Sequence, residues 1–526
     1  MPRRIPFLVL RGRGRGAALA GAALAVGCAI LFAARLPEPL GPDQGLFACF
    51  GRWVPHGFLP YRDLFDSKPP LFLYWFSLLA LVPDELPRAL WWLEGAWLAA
   101  TLAFTFTCAS RAWGRAAGVA SAALLFAGLW APGFGGFWAR AQAEEILALP
   151  MLGSAWLALR AVGRERLAFS AGLLAGVCGV MKVPSLAIAV AWSLVFALED
   201  RGPGVLRRIA WLLAGVAVPW ALAFAWFGAH GEVRRFVDAV FTYQVAYAAL
   251  IALPLPSVLT GFAARIADAA ALPLAAAVVG LFVLFRRRAR EASWLAAWLG
   301  LTSAAVIAQR QLAGYHHLLV MPPLALAGGY GVAAALRAAR RGGRARVASL
   351  VALAAMTLLA LRSGAAWAAA YAPGAAHLAG RISRASYLRK IQAGPYATVI
   401  EEEVARVIRE RTRPEQGILV WAWSPGIYAL ADRRPTTRYA FHKLLLTEAP
   451  FSMQIAGLEE RRAELVRRVA IDPPAYVVVA HGDDDAFEPI DSQRSLMRFA
   501  ELRELLAREY VVERQIGRMT LHRRRP

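Results

Sequence analysis

The sequence predicts a polytopic α-helical membrane protein of about eleven spans, carrying a soluble α/β domain at its C-terminal end. Three observations carry this reading. Of the 526 residues, 58% are hydrophobic and only 18% charged, whereas soluble domains run near half and a quarter. Apolar runs such as Ala17–Ala34 and Ile209–Phe227 are nearly free of charge and long enough to cross hydrocarbon. Shorter runs, Ala116–Trp130, Leu167–Val180 and Val347–Leu361, need their flanks to do so. Finally, arginines fall in bursts between the runs, at 3–15, 111–115, 160–166, 201–208, 286–290 and 337–346. With the N-terminus in the cytoplasm these bursts occupy alternate loops, as the positive-inside rule requires. That rule accounts for the formal charge of +23. A nucleic-acid binder would instead gather its cations on one face or arm, so no nucleic-acid partner is expected.

Element by element, a basic cytoplasmic arm (1–16) precedes a multi-span domain (17–361). Its expected spans are 17–35, 86–110, 116–132, 144–160, 167–181, 184–198, 209–227, 266–285, 292–308, 317–336 and 347–361. The first has no small-residue cleavage site before Pro37 and reads as a retained anchor. Lys182-Val183-Pro184 divides the apolar stretch 167–198 into two short helices. Without that division every later loop would change side and Arg201–Arg208 would face outward. The reading is N-terminus in, C-terminus out.

Two outward segments are large. The first, 36–85, opens with an amphipathic helix at Asp43–Val54, with Phe47, Phe50 and Val54 on one stripe. It ends in Leu71–Val82, too short to span and read as an interfacial helix. The second covers about 228–257. From 362 to 526 the pattern changes to a small α/β domain. Helices are expected at 398–412, 453–470 and 493–508, and strands at Gly417–Trp423, Ala475–Ala480, Tyr510–Ile516 and Arg518–Arg523. Four cysteines, none after Cys178, form no disulfide framework and no zinc spacing.

The chemically informative residues are polar groups at the outer ends of spans. Asp43, at a helix start, is favoured as an anion; it reads either as a helix cap or as a proton acceptor. Lys68, between Asp66 and Pro69-Pro70, sits in a turn whose backbone the prolines restrict. It either snorkels to lipid headgroups or meets an anion. Lys182, at the break in a long apolar stretch, belongs to a class of ionisable groups that usually face a cavity or partner. Glu144 and Glu145 open a span, as acids at helix starts often do. Arg310, Tyr315, His316 and His317 precede another, and adjacent histidines cannot both face one site. One or two carboxylates with several cations suit a phosphate leaving group carried on a lipid. The cations neutralise its charge and one carboxylate takes the attacking group's proton. There is no glycine-rich nucleotide loop and no GxSxG. His481-Gly482-Asp483-Asp484-Asp485 reads as a solvated loop.

Asp43 and the stretch Tyr61-Arg62-Asp63-Leu64-Phe65-Asp66-Ser67-Lys68-Pro69-Pro70 resemble the first outward loop of GT-C class membrane glycosyltransferases. The likeness is to family 39 and its bacterial relatives, among them aminoarabinose lipid A transferases, protein O-mannosyltransferases and rhizobial-type lipopolysaccharide sugar transferases. Tyr315–Pro323 and Leu419–Pro425 look similar to later segments of the same family. The resemblance implies an inverting enzyme of the bacterial cytoplasmic (inner) membrane. It would move one sugar from a polyprenyl-phosphate donor to a glycan, lipid or protein acceptor at the outer face. It also implies Asp43 as the catalytic acid position, with Asp66 beside it, and Lys68 as the donor-phosphate lysine. Arg62, Lys182, Arg310 and His316 would then be further donor contacts, and Glu144 or Glu145 a second acid. Two positions depart from the family pattern: Gln44 stands where many members have Glu, and Ser67 where many have Glu before the lysine. Whether a divalent metal is required is left open. The competing classes are a flippase of lipid-linked saccharide, which would show two similar halves, and a glycan-chain ligase.

Overall fold

Each of the eleven expected spans has a helix in the computed structural model of the chain, which describes residues 15–199, 202, 204–250, 252–391, 398–445, 457–484 and 489–526. Six helices are long and apolar enough to cross a membrane: Gly16–Arg35, Arg88–Trp113, Gly204–Ala229, Arg290–Ala308, Gly314–Ala339 and Arg344–Leu378. The remaining segments are shorter or interrupted. Arg115–Leu129 ends just before Pro132, and Ala143–Ile146 is followed by a separate helix, Ala148–Ala158. Glu165–Met181 stops at Lys182, whose backbone is extended, and Ala187–Glu199 follows a short 3-10 turn containing Pro184. Leu255–Ala269 and Ala271–Arg286 meet at a bend of 95°. By length, then, six or seven helices qualify among the described residues rather than eleven, because apolar runs broken by proline or by extended backbone do not form one continuous helix. Most of the basic arm lies outside the described residues, as do Arg201, Asp485 and the first residues of the helix expected over 453–470.

The chain folds as two compact units. One comprises Met1–Arg35, Glu94–Ala223 and Leu253–Ala375, and among its described residues the regular elements are all helical. Its most enclosed helix, Met321–Ala339, packs against Arg115–Leu129 and Ala271–Arg286. Gly280, Gly329 and Gly331 let these backbones touch: a Cβ on any of them would collide with Ala327, Ser121 or Ala276. Small residues at contacts of this kind are how helices associate where lipid removes the hydrophobic drive. Ion pairs tie the basic ends together, Arg207 to Glu165 and Arg290 to Glu199, while Arg290 also donates to the Leu159 carbonyl at 3.2 Å. Glu165 and Glu199 therefore lie at one end of this unit, and the chain reverses at Lys182 between them.

The other unit gathers Leu36–Leu93, Phe224–Ala252 and Ala376–Pro526. The last long helix continues to Leu378, well beyond the expected boundary at 362. A four-stranded sheet forms from β1 (Ile418–Trp421), β2 (Tyr476–Ala480), β3 (Tyr510–Ile516) and β4 (Met519–Arg524), in the order β1-β2-β4-β3. β1 and β2 pair in parallel, across a connection containing the helix Leu458–Ile471. β2–β4 and β4–β3 are antiparallel. Gly517, at φ +53°, makes the β3–β4 turn, a conformation that glycine adopts without penalty. Every residue of β1 and β2 is buried, as their unbroken apolar sequences require of strands covered on both faces.

The segment 36–85 packs on this region. The helix Pro42–Trp53 is buried almost all round, Gln44 and Gly45 to Gly51 included. It is therefore a core element and not a surface amphipathic one. It lies against the helix Gly426–Ala431, with Gly45 at Gly426. The thiol of Cys49 donates to the Pro425 carbonyl at 3.2 Å, and Arg52 grips Asp432 with two bonds of 2.6 and 2.7 Å. Further along, Phe65 N–H donates to the Arg438 carbonyl at 2.9 Å and Arg438 returns a bond of 3.0 Å to the Tyr61 carbonyl. Tyr61 packs into a cluster with Phe227 and Phe236, which joins the segment around Phe236 to that around Tyr61.

Candidate functional site

Asp43 occupies the first turn of Pro42–Trp53. Gly41 is the N-cap, so Asp43 stands in the first turn and is not itself the N-cap residue. Its carboxylate is half-buried and lies within electrostatic range of Asp66 and of the Tyr247 hydroxyl. Asp66 is 5% exposed. It accepts the Lys68 backbone N–H at 3.2 Å and faces the Lys68 ammonium at 3.5 Å. Burial pushes the Asp66 pKa up; the neighbouring ammonium opposes that, and Asp43 adds to it. Lys68 also lies over the Phe47 ring at 4.7 Å, a cation–π contact, and Tyr61 holds the Lys68 carbonyl with a 2.8 Å bond from its hydroxyl. The prolines after Lys68 and this bond from Tyr61 fix the turn that presents the ammonium.

Around the cluster stand Tyr243 and Tyr247, stacked at 6.0 Å, with Phe65 edge-on to Tyr243. Burial raises the pKa of both tyrosines, so they serve as neutral donors or stacking faces. Beneath the helix, Glu401 is buried with its pKa pushed up to about 7, mainly by desolvation, while a bond from Ser424 opposes the rise.

A second cluster lies in the helical unit. Glu144, 1% exposed, pairs with Lys182 and lies 3.9 Å from His316 Nε2. The Lys182 ammonium is also 5.8 Å from the Tyr315 ring centre. Glu144 Oε2 has no hydrogen-bond partner among the described residues. Glu144, Lys182 and His316, each read from sequence as an isolated polar group at a span end, are thus neighbours. Of the adjacent histidines, His317 goes elsewhere, stacked between Phe134 and Phe262.

Three other candidates are engaged apart from these clusters. Glu145 accepts Trp130 Nε1 and the Ala141 N–H, both at 2.9 Å. It is part of a buried network with Arg140 and Glu94, which Arg35 reaches through its carbonyl on Arg140. Arg310, in a left-handed backbone conformation, exchanges two 2.9 Å bonds with Leu253 and clamps a loop. Arg62 is forked onto its neighbour Asp63. The residues that sequence reasoning missed, Tyr247, Glu401 and the Glu94–Arg140 pair, belong to segments far apart in the chain and share no local motif. Among the described residues no three His, Cys, Asp or Glu side chains gather as metal ligands, and Asp483 is bound by Ser492 at 2.6 Å.

No protein-family model matches the chain, and no curated protein matches it in sequence. Among solved structures, it is similar to ArnT from Cupriavidus metallidurans bound to undecaprenyl phosphate. The TM-score is 0.61 at 15% identity, over 97% of this chain and 98% of that one. The apo state of the same protein gives a TM-score of 0.58 at 15% identity and the same coverage. Over nearly its whole length the chain therefore has the GT-C membrane fold of ArnT.

Proposed function

We propose that the chain is a membrane glycosyltransferase moving a single sugar, with inversion, from a polyprenyl-phosphate donor to a cell-envelope acceptor at the outer face of the inner membrane. The observation that carries this reading is the Asp43–Asp66–Lys68 cluster, one carboxylate beside an ion pair in a buried turn. The solved ArnT bound to undecaprenyl phosphate supports the donor class.

In the proposed reaction the acceptor oxygen or nitrogen attacks the anomeric carbon as the bond from that carbon to the phosphate oxygen breaks. Asp43 takes the acceptor's proton. Lys68 meets the charge growing on the departing phosphate, and its place is held by Asp66, Phe47 and Tyr61. Such a leaving group needs no protonated acid, unlike that of a glycosidase with two working carboxylates. Asp66, bonded to Lys68 through both oxygens, is then a positioning residue. Lys182, fixed by Glu144 in the helical unit, is a second candidate for donor binding.

The test is Asp43→Asn, measured by transfer from purified polyprenyl-phosphate sugars in parallel with melting temperature. Loss of a general base lowers the rate by about 10²–10⁴, with the melting temperature and donor binding retained. A variant as active as the parent would remove Asp43 from the chemistry.

A further inference from the structure

A cleft of about 510 Å³ lies wholly within the unit that contains the sheet. Its polar lining is Arg88, Arg384, Arg406, Arg409 and His377 against Glu85 and Glu402. The helix Thr398–Arg411 supplies three of these: Glu402, Arg406 and Arg409 follow one another at spacings of four and three residues and so share a face. The cations are not equally committed. Arg384 is tied to Glu402 and donates to the Pro37 carbonyl at 2.9 Å. Arg88 pairs with Asp84 and Arg406 with Glu410, each across one turn of exposed chain. Arg409 bonds the Leu430 carbonyl, and no carboxylate pairs with it among the described residues.

The apolar part of the lining is Leu36, Leu86, Leu378 and Leu430. Three lining residues stand at the ends of membrane-length helices. Leu36 follows Gly16–Arg35, Arg88 opens Arg88–Trp113 and Leu378 closes Arg344–Leu378. Leu36 and Arg88 directly adjoin two of these apolar helices, Gly16–Arg35 and Arg88–Trp113, as residues near a membrane surface would. Guanidinium forks match phosphate oxygens bidentately, and the adjoining leucines suit the start of an acyl chain. We infer that this cleft binds the phosphate headgroup of an anionic membrane lipid, at a site separate from Asp43, Asp66 and Lys68. The inference does not depend on sugar transfer.

The experiment titrates the purified full chain in detergent with phosphatidylglycerol, phosphatidylcholine or sodium phosphate, and reads bound lipid by native mass spectrometry. Phosphatidylglycerol is expected to stay bound where phosphatidylcholine does not, and millimolar phosphate is expected not to displace it. Replacing Arg406 and Arg409 together with Gln should weaken phosphatidylglycerol binding roughly tenfold or more, since each removes a charge-assisted bond. Arg406→Gln alone gives a smaller loss in the same direction. Its side-chain partner is Glu410 on the same exposed helix face, so an unchanged melting temperature is expected without lipid. Equal retention of both lipids, unchanged binding by the double variant, or displacement by free phosphate would each overturn the inference.

Discussion

Lys68 and Lys182 are both lysines beside a carboxylate, but their settings differ. The side chain of Lys68 is 29% exposed against 6% for the Asp66 side chain; that of Lys182 is 18% exposed against 1% for the Glu144 side chain. Removing either ammonium leaves a buried carboxylate without its partner, so alanine alone would confuse folding with function. Lys→Gln, which keeps a hydrogen-bond donor, and Lys→Ala should be compared. If each lysine meets the donor phosphate, both substitutions raise KM for donor, by about 1.5–3 kcal/mol of lost charge-assisted bonding, and the melting temperature of the Gln variants stays near the parent's. Donor KM unchanged in Lys68→Gln and Lys182→Gln would put the phosphate elsewhere. Sequence could bring Lys68 and Asp66 together, since only Ser67 separates them. It could not bring Glu144 to Lys182 or divide Glu144 from Glu145, because those outcomes depend on which side of a short helix start each acid faces.

At the scale of elements, the helix Pro42–Trp53 shows how position is set by packing. Its hydrophobic stripe was visible in the sequence, but its burial on nearly all sides was not. The covering surface, the helix Gly426–Ala431, comes from nearly four hundred residues later, and only the fold supplies it. Likewise, strand positions 476–480 and 510–516 were legible from β-branched runs, while the long apolar segments hid their breaks at Ala270 and Leu147. At Gly45 two backbones meet: a Cβ there would lie 2.6 Å from both N and Cα of Gly426. Gly45→Val must therefore push the helix and Asp43 with it. The expected outcome is a loss of about 1–3 kcal/mol in stability, as for overpacked cores, together with a fall in transfer rate. Gly45→Ala should do the same more weakly. Full transfer activity and an unchanged melting temperature in the valine variant would mean that this contact does not position Asp43.

For the whole molecule, the distribution of charge over the helical unit bears on which face meets the cytoplasm. Within the helical unit, Arg160, Glu165, Glu199, Arg207 and Arg290 gather at one end, through the Arg207–Glu165 and Arg290–Glu199 pairs and the bond to the Leu159 carbonyl. A different set of helix ends meets through Arg35, Glu94, Trp130 and Arg140. These two sets are what alternating spans demand, and the first is richer in arginine. Short loops carrying excess Arg remain in the cytoplasm, which would leave Arg290 inside. An odd number of crossings then places residues 398–526, with the sheet, outside. Alkaline phosphatase, active only after export, fused after Pro526 should be active, and fused after Arg290 inactive. The reverse pattern would invert the orientation and put Asp43 and Lys68 in the cytoplasm. Activity at both fusions would mean that one of the three helices Arg290–Ala308, Gly314–Ala339 and Arg344–Leu378 does not cross the bilayer.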